Sequence, residues 1–180
     1  MKKYFIILLI FAQISLTNNS FGNTPKEIQT IREDLFYSDF DIDKCWEFYN
    51  YVTSVKDGSA VIKAYEAVAD ALIAKYSWNP MSKYNYLKKS AHLMDKAVSE
   101  DKNNLEIRFL RLYIQRSIPD YMGMSEDIEE DKQVIMSNLN QLNASVLGED
   151  IVKYIIKYMS SPEVCTPDEA ILIKSKLTVH

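Results

Sequence analysis

The stretch Leu105-Glu106-Ile107-Arg108-Phe109-Leu110-Arg111-Leu112-Tyr113-Ile114-Gln115-Arg116-Ser117 decides the fold. Wound on a 3.6-residue period, its apolar residues cover nearly every side and leave a narrow polar stripe of Arg108, Arg111 and Gln115. A helix that is apolar almost all round belongs in the middle of a domain, so this segment is expected to be a central helix covered by others. Pro119 follows shortly and cannot continue the backbone ladder, which stops the helix near Ser117.

Outward from this segment, the chain reads as helix after helix. Thr24-Pro25-Lys26-Glu27 and Thr166-Pro167-Asp168-Glu169 share one start signal: Thr as N-cap, Pro at the first helical position, and Glu placed to reach back to the cap. Asn79-Pro80 is a third start, and Ser125-Glu126-Asp127 a fourth with acids in the first turn. Apolar faces are marked by Ile28, Ile31 and Leu35; by Cys45, Phe48, Tyr49 and Val52; by Val61, Tyr65, Val68, Leu72 and Tyr76; and by Tyr84, Leu87, Ala91, Met94 and Ala97. Beyond the central helix come Ile128, Ile135, Leu139 and Leu142, then Ile151 to Met159, then Ile171, Leu172 and Leu177. Strand alternation with turn dipeptides is not seen. The expected fold is all-α, with about seven or eight helices packed as antiparallel hairpins, either repeat-like or as an irregular bundle.

Ala97-Val98-Ser99-Glu100-Asp101-Lys102-Asn103-Asn104-Leu105-Glu106 resembles the junction between tetratricopeptide repeats, with Ala97 at the small packing position. Lys102 stands where those repeats usually have Pro, and Leu112 where the next helix would carry Gly. The resemblance implies a helical scaffold that binds a protein or peptide. The run from Glu106 through Arg111, together with Ile128-Glu129-Glu130-Asp131-Lys132, is similar to small exported bacterial helical proteins, a likeness that carries no activity with it.

The N-terminus reads as a secretory signal over residues 1–22. Lys2 and Lys3 precede the mostly apolar stretch Tyr4–Leu16, and Ser20 and Gly22 put small residues before a cleavage point. That stretch is short for a membrane span, which needs about 20 apolar residues. Residues 23–180 are then expected to be one exported domain, periplasmic or secreted, with no integral membrane segment. Of 21 basic residues two lie in the signal, leaving 19 against 25 acidic ones and a net charge of −6, from −4 for the whole chain. With no basic run and few arginines, nucleic acid is not an expected partner. Cys45 and Cys165 either pair in an oxidising compartment or stay as two semi-buried thiols.

Chemistry is sparse. The run Asp39-Phe40-Asp41-Ile42-Asp43 starts like a calcium loop, but Lys44 and Asn50 occupy the places that need Gly and Glu. No nucleophile elbow, phosphate loop or ligand-spaced His pair is present, so no catalytic residue, metal or cofactor is expected. Two candidate sites remain. Arg108, Arg111 and Gln115 form either an internal salt-bridge stripe with the acidic turn Glu126–Asp131 or an anion-binding groove. Tyr76, Trp78 and Tyr84 cluster at one hairpin turn, either as the edge of the core or as contact residues. Together these favour a non-catalytic protein- or peptide-binding module. A small-molecule or enzymatic domain using the Arg108/Arg111 stripe and a structural envelope accessory are the alternatives.

Overall fold

The computed structural model describes residues 25–37 and 41–175. The expected signal segment, the Thr24 cap, Asp39, Phe40 and Leu177 lie outside them. Among the described residues there are nine α-helices and no strand: α1 (Pro25–Tyr37), α2 (Ile42–Ser54), α3 (Ala60–Tyr76), α4 (Pro80–Glu100), α5 (Leu105–Ser117), α6 (Ile128–Ser137), α7 (Ala144–Leu147), α8 (Glu149–Met159) and α9 (Pro167–Lys174). Single 3-10 turns cover Asp120–Met122 and Leu139–Gln141. The all-α fold is as the periodicity indicates.

Local chemistry places the helix starts. Asn79 accepts from the Met81 amide at 2.9 Å, and Pro80 fills the first helical position of α4, where a missing N–H costs nothing. Thr166 and Glu169 form the full capping box of α9: the Thr166 amide donates to Glu169 Oε2 at 2.8 Å, and the Glu169 amide to Thr166 Oγ1 at 3.4 Å. The fourth start differs from expectation. Ser125 does not cap a helix; its hydroxyl donates to the Gln115 carbonyl at 2.9 Å, and α6 begins only at Ile128.

The three-residue link Ser77–Asn79 turns α4 back along α3, and this antiparallel pair is the most extensive packing among the described residues. α2 lies against α3, and α5 packs on α3 while carrying α6 on its other side. From Leu105 to Leu112 every residue of α5 is buried, and Ile114 as well, so α5 is the covered central helix. Ala64, Ala67 and Ala69 of α3 and Ala97 of α4 have no exposed surface and, being small, let helices approach closely.

Two later elements depart from the sequence reading. The face expected to run from Ile128 to Leu142 as one helix breaks after Ser137 into a 3-10 turn and the short α7. Gly148 then holds φ +93° between α7 and α8; a Cβ there would stand 3.0 Å from Gln29 Nε2, so the reversal suits only glycine. In α9 the buried residue is Ile173, while Ile171 and Leu172 face outward, because the helix rests on α8 through one narrow edge. No helix among the described residues is long and apolar enough to cross a membrane.

Candidate functional site

Arg108 and Arg111 are three apart on α5 and project to the same side, as i,i+3 residues do. That side meets the first turn of α6. Arg111 grips Asp131 with two parallel bonds, Nε to Oδ2 and Nη2 to Oδ1, each 2.7 Å. Arg108 Nη1 bonds Asp131 Oδ1 at 2.9 Å and Glu130 Oε1 at 2.7 Å, and its Nε bonds the Lys102 carbonyl at 2.7 Å. Gln115 closes the stripe: its amide nitrogen donates to Asp127 Oδ2 at 2.8 Å, and its oxygen accepts from the Asp127 amide at 3.1 Å. Asp127, at the N-cap position of α6, therefore spends its carboxylate on α5 rather than on its own helix end. Burial works to lower the Arg111 pKa, but the bonds to Asp131 outweigh it and hold the group above its ordinary value. Arg108, Arg111 and Asp131 are all buried. The stripe is an internal ion-pair cluster that locks α6 onto α5.

A second buried cluster has no counterpart in the sequence reading. Arg32 of α1 bonds Glu106 of α5 through Nε and Nη2, each 2.7 Å, and its Nη1 reaches the Val146 carbonyl at 2.8 Å. Tyr65 of α3, fully buried, donates its hydroxyl to Glu106 Oε1 at 2.7 Å. Burial, and then the adjacent Glu106 charge, push the Tyr65 hydroxyl well above its ordinary pKa, so it remains a proton donor. These partners are 41 and 74 residues apart, and no local spacing rule connects them.

The aromatic candidates lie elsewhere. Tyr76, Trp78 and Tyr84 sit at the α3–α4 tip, away from the α5–α6 face. Tyr76 is half-buried, Tyr84 is exposed, and Trp78 is 92% exposed. Along the same hairpin, Lys89 bonds Asp70 Oδ1 at 3.0 Å and the Tyr49 hydroxyl at 3.2 Å. Asp70 has no exposed surface, and its Oδ2 has no hydrogen-bond partner. Burial pushes its carboxyl above the ordinary value, with Lys89 pulling the other way.

Between α1, α3 and α5 lies an open apolar groove of about 710 Å³. Its walls are Leu35 and Phe36 of α1, Val68 and Leu72 of α3, and Phe109 and Tyr113 of α5; Lys75, Lys83, Tyr121 and Met122 also border it. Among the described side chains it is lined by no carboxylate. Tilted ring pairs support the wall, with Phe36 to Tyr154 at 4.8 Å, and with Tyr113 backed by Tyr158 at 5.2 Å between centroids. Burial, and then a hydrogen bond with Tyr113, push the Tyr154 hydroxyl above its ordinary pKa. The sequence marks Phe109 and Tyr113 as part of the apolar surface of α5 and does not mark any of the walls as a site. The aromatic richness of the chain was the only signal available, because the groove assembles from helices far apart in sequence.

Cys45 and Cys165 are buried free thiols and form no disulfide. Cys45 packs within the α2 face, and Cys165 sits beneath the start of α9. Burial raises both thiol pKa values. No group of three His, Cys, Asp or Glu side chains is arranged to hold a metal among the described residues. Comparison of the chain with family models, with curated proteins and with solved structures gives no match.

Proposed function

We propose that the protein is a non-catalytic binding module that takes an apolar stretch of another polypeptide into the groove between α1, α3 and α5. The observation carrying this reading is the groove itself: open, about 710 Å³, walled by apolar and aromatic side chains. Such a surface suits side-chain anchors of a partner, whose burial would drive association. The polar stripe of Arg108, Arg111 and Gln115 is already engaged by α6, which weighs against a ligand seated there. The likeness of Ala97–Glu106 to a tetratricopeptide junction supports a scaffold role, and the N-terminal signal pattern supports export. No catalytic step is part of this reading.

The test is recovery of a partner from the exported fraction with the unsubstituted protein and with Leu72→Glu, which puts a charge on the groove wall. A partner held by the first and lost by the second, with helical circular dichroism unchanged, supports the reading. No stable partner, or equal recovery by both, overturns it.

A further inference from the structure

The tip of the α3–α4 hairpin carries an unusual surface. Trp78 projects from the three-residue link at 92% exposure, and Met81 and Tyr84 on the next turn are 67% and 45% exposed. From residue 71 to residue 94 the chain has four lysines and no Asp or Glu, within a protein of net charge −4. Lys89 is turned to Asp70, whereas Lys75, Lys83 and Lys88 have no ion pair among the described residues. On α2, Asp41 caps its own helix and Asp43 sits in the first turn. Tyr121, 89% exposed, adds a further ring beside Lys75 and Lys83.

A three-residue link with one protruding Trp offers little area to a rigid protein partner, which needs roughly 800 Å² from each side. A lipid interface is soft and closes around a protrusion. Trp and Tyr favour the headgroup level of a bilayer, and lysines favour anionic headgroups. We propose that this tip docks on the surface of an anionic lipid bilayer, with Trp78 and Met81 entering the interface and Lys75, Lys83 and Lys88 over the headgroups. Trp78, Met81 and Lys88 lie outside the groove, whereas Lys75, Lys83 and Tyr121 also border it, so the Trp78→Ser arm separates this inference from the groove reading.

The experiment uses the full chain and two vesicle types, phosphatidylcholine alone and phosphatidylcholine with about 30% phosphatidylglycerol. Trp46→Phe leaves Trp78 as the single reporter, and co-sedimentation of the unsubstituted protein is measured in parallel. The expected result is a blue-shifted Trp78 emission and sedimentation with the anionic vesicles alone, both reversed by about 0.5 M salt. Trp78→Ser should weaken vesicle binding by roughly ten-fold, and Lys75→Gln with Lys83→Gln by a similar factor. Unchanged emission and sedimentation, equal binding to uncharged vesicles, or full binding by Trp78→Ser overturns the proposal. A blue shift that grows with protein concentration in the absence of lipid also overturns it, because a second copy would then cover the tip.

Discussion

Asp131 of α6 lies between two arginines of α5, sharing one oxygen between Arg111 at 2.7 Å and Arg108 at 2.9 Å and giving the other to Arg111 at 2.7 Å. The carboxylate has no exposed surface, so its charge is balanced by these two side chains instead of by water. Asp131→Ala removes the buried carboxylate that both guanidinium groups share, leaving Arg108 to Glu130 and Arg111 to the longer contact with Asp127 at 3.3 Å, and should lower stability by about 3–5 kcal/mol. Arg108→Leu keeps the fork between Arg111 and Asp131 and should cost less, about 1–3 kcal/mol. Chemical denaturation of both variants checks the order, and a larger loss for Arg108→Leu would contradict it.

The Arg32–Glu106 pair should behave as a unit. Arg32→Met leaves Glu106 charged in the core and is expected to cost about 3–5 kcal/mol. Tyr65→Phe removes only one of the bonds to Glu106 and should cost about 1–2 kcal/mol. The double change Arg32→Met with Glu106→Gln should cost less than the sum of the two single changes, since neither charge is then stranded. Denaturation midpoints across this cycle give the coupling directly.

Two carboxylates should respond to pH with opposite sign. Glu169 is held down to about 2 by Lys132 and the Thr166 amide, below its ordinary 4.5. Its folded pKa is depressed, so its contribution is complete above the ordinary value and is lost as pH falls toward 2. A carbon-detected NMR titration of Glu169 should find the midpoint near that value. Asp70 has a raised folded pKa, so the folded state holds its proton more tightly and stability falls as pH rises above the ordinary carboxylate range. Asp70→Asn should therefore gain in melting temperature, relative to the unsubstituted protein, between about pH 4 and neutrality. A flat difference across that range would sink this assignment.

Both thiols should be counted free in denaturant, and both should react slowly in the folded state because they are buried with raised pKa values. Thiol titration with and without denaturant, omitting reductant, checks this. A protein with no titratable thiol after unfolding would show a bridge instead.

What could be read in advance was what depends on near neighbours along the chain. The extent of α5 follows from its all-round apolar pattern and from Pro119. The starts of α4 and α9 follow from Asn79-Pro80 and the Thr166–Glu169 box. The Arg108/Arg111 pairing with the acidic turn was within reach, because only a short connection separates α5 from α6. The misreadings arise where a distant partner outbids a local rule. Ser125 looks like a helix start and Asp127 like a first-turn acid, but Gln115 and Arg111 claim them. Ile171 and Leu172 look like a buried face, but only Ile173 meets the body of the protein. Glu106 carries no local signal of its role, and Arg32 and Tyr65 hold it in the core. The groove walls come from α1, α3 and α5, and no periodicity within one helix reveals their meeting.

The Arg32–Glu106 contact also bears on how the chain can be divided. In a stack whose units touch only their neighbours, an end can be cut away and the remainder survives. Here the first helix neutralises a charge that sits in the middle of the molecule, 74 residues further on. Removing α1 would strand Glu106, and stopping the chain before Asp131 would strand Arg111. A ribosome has therefore to deliver the chain through α6 before α5 can settle, and no shorter fragment containing α5 is a sound choice for isolated study.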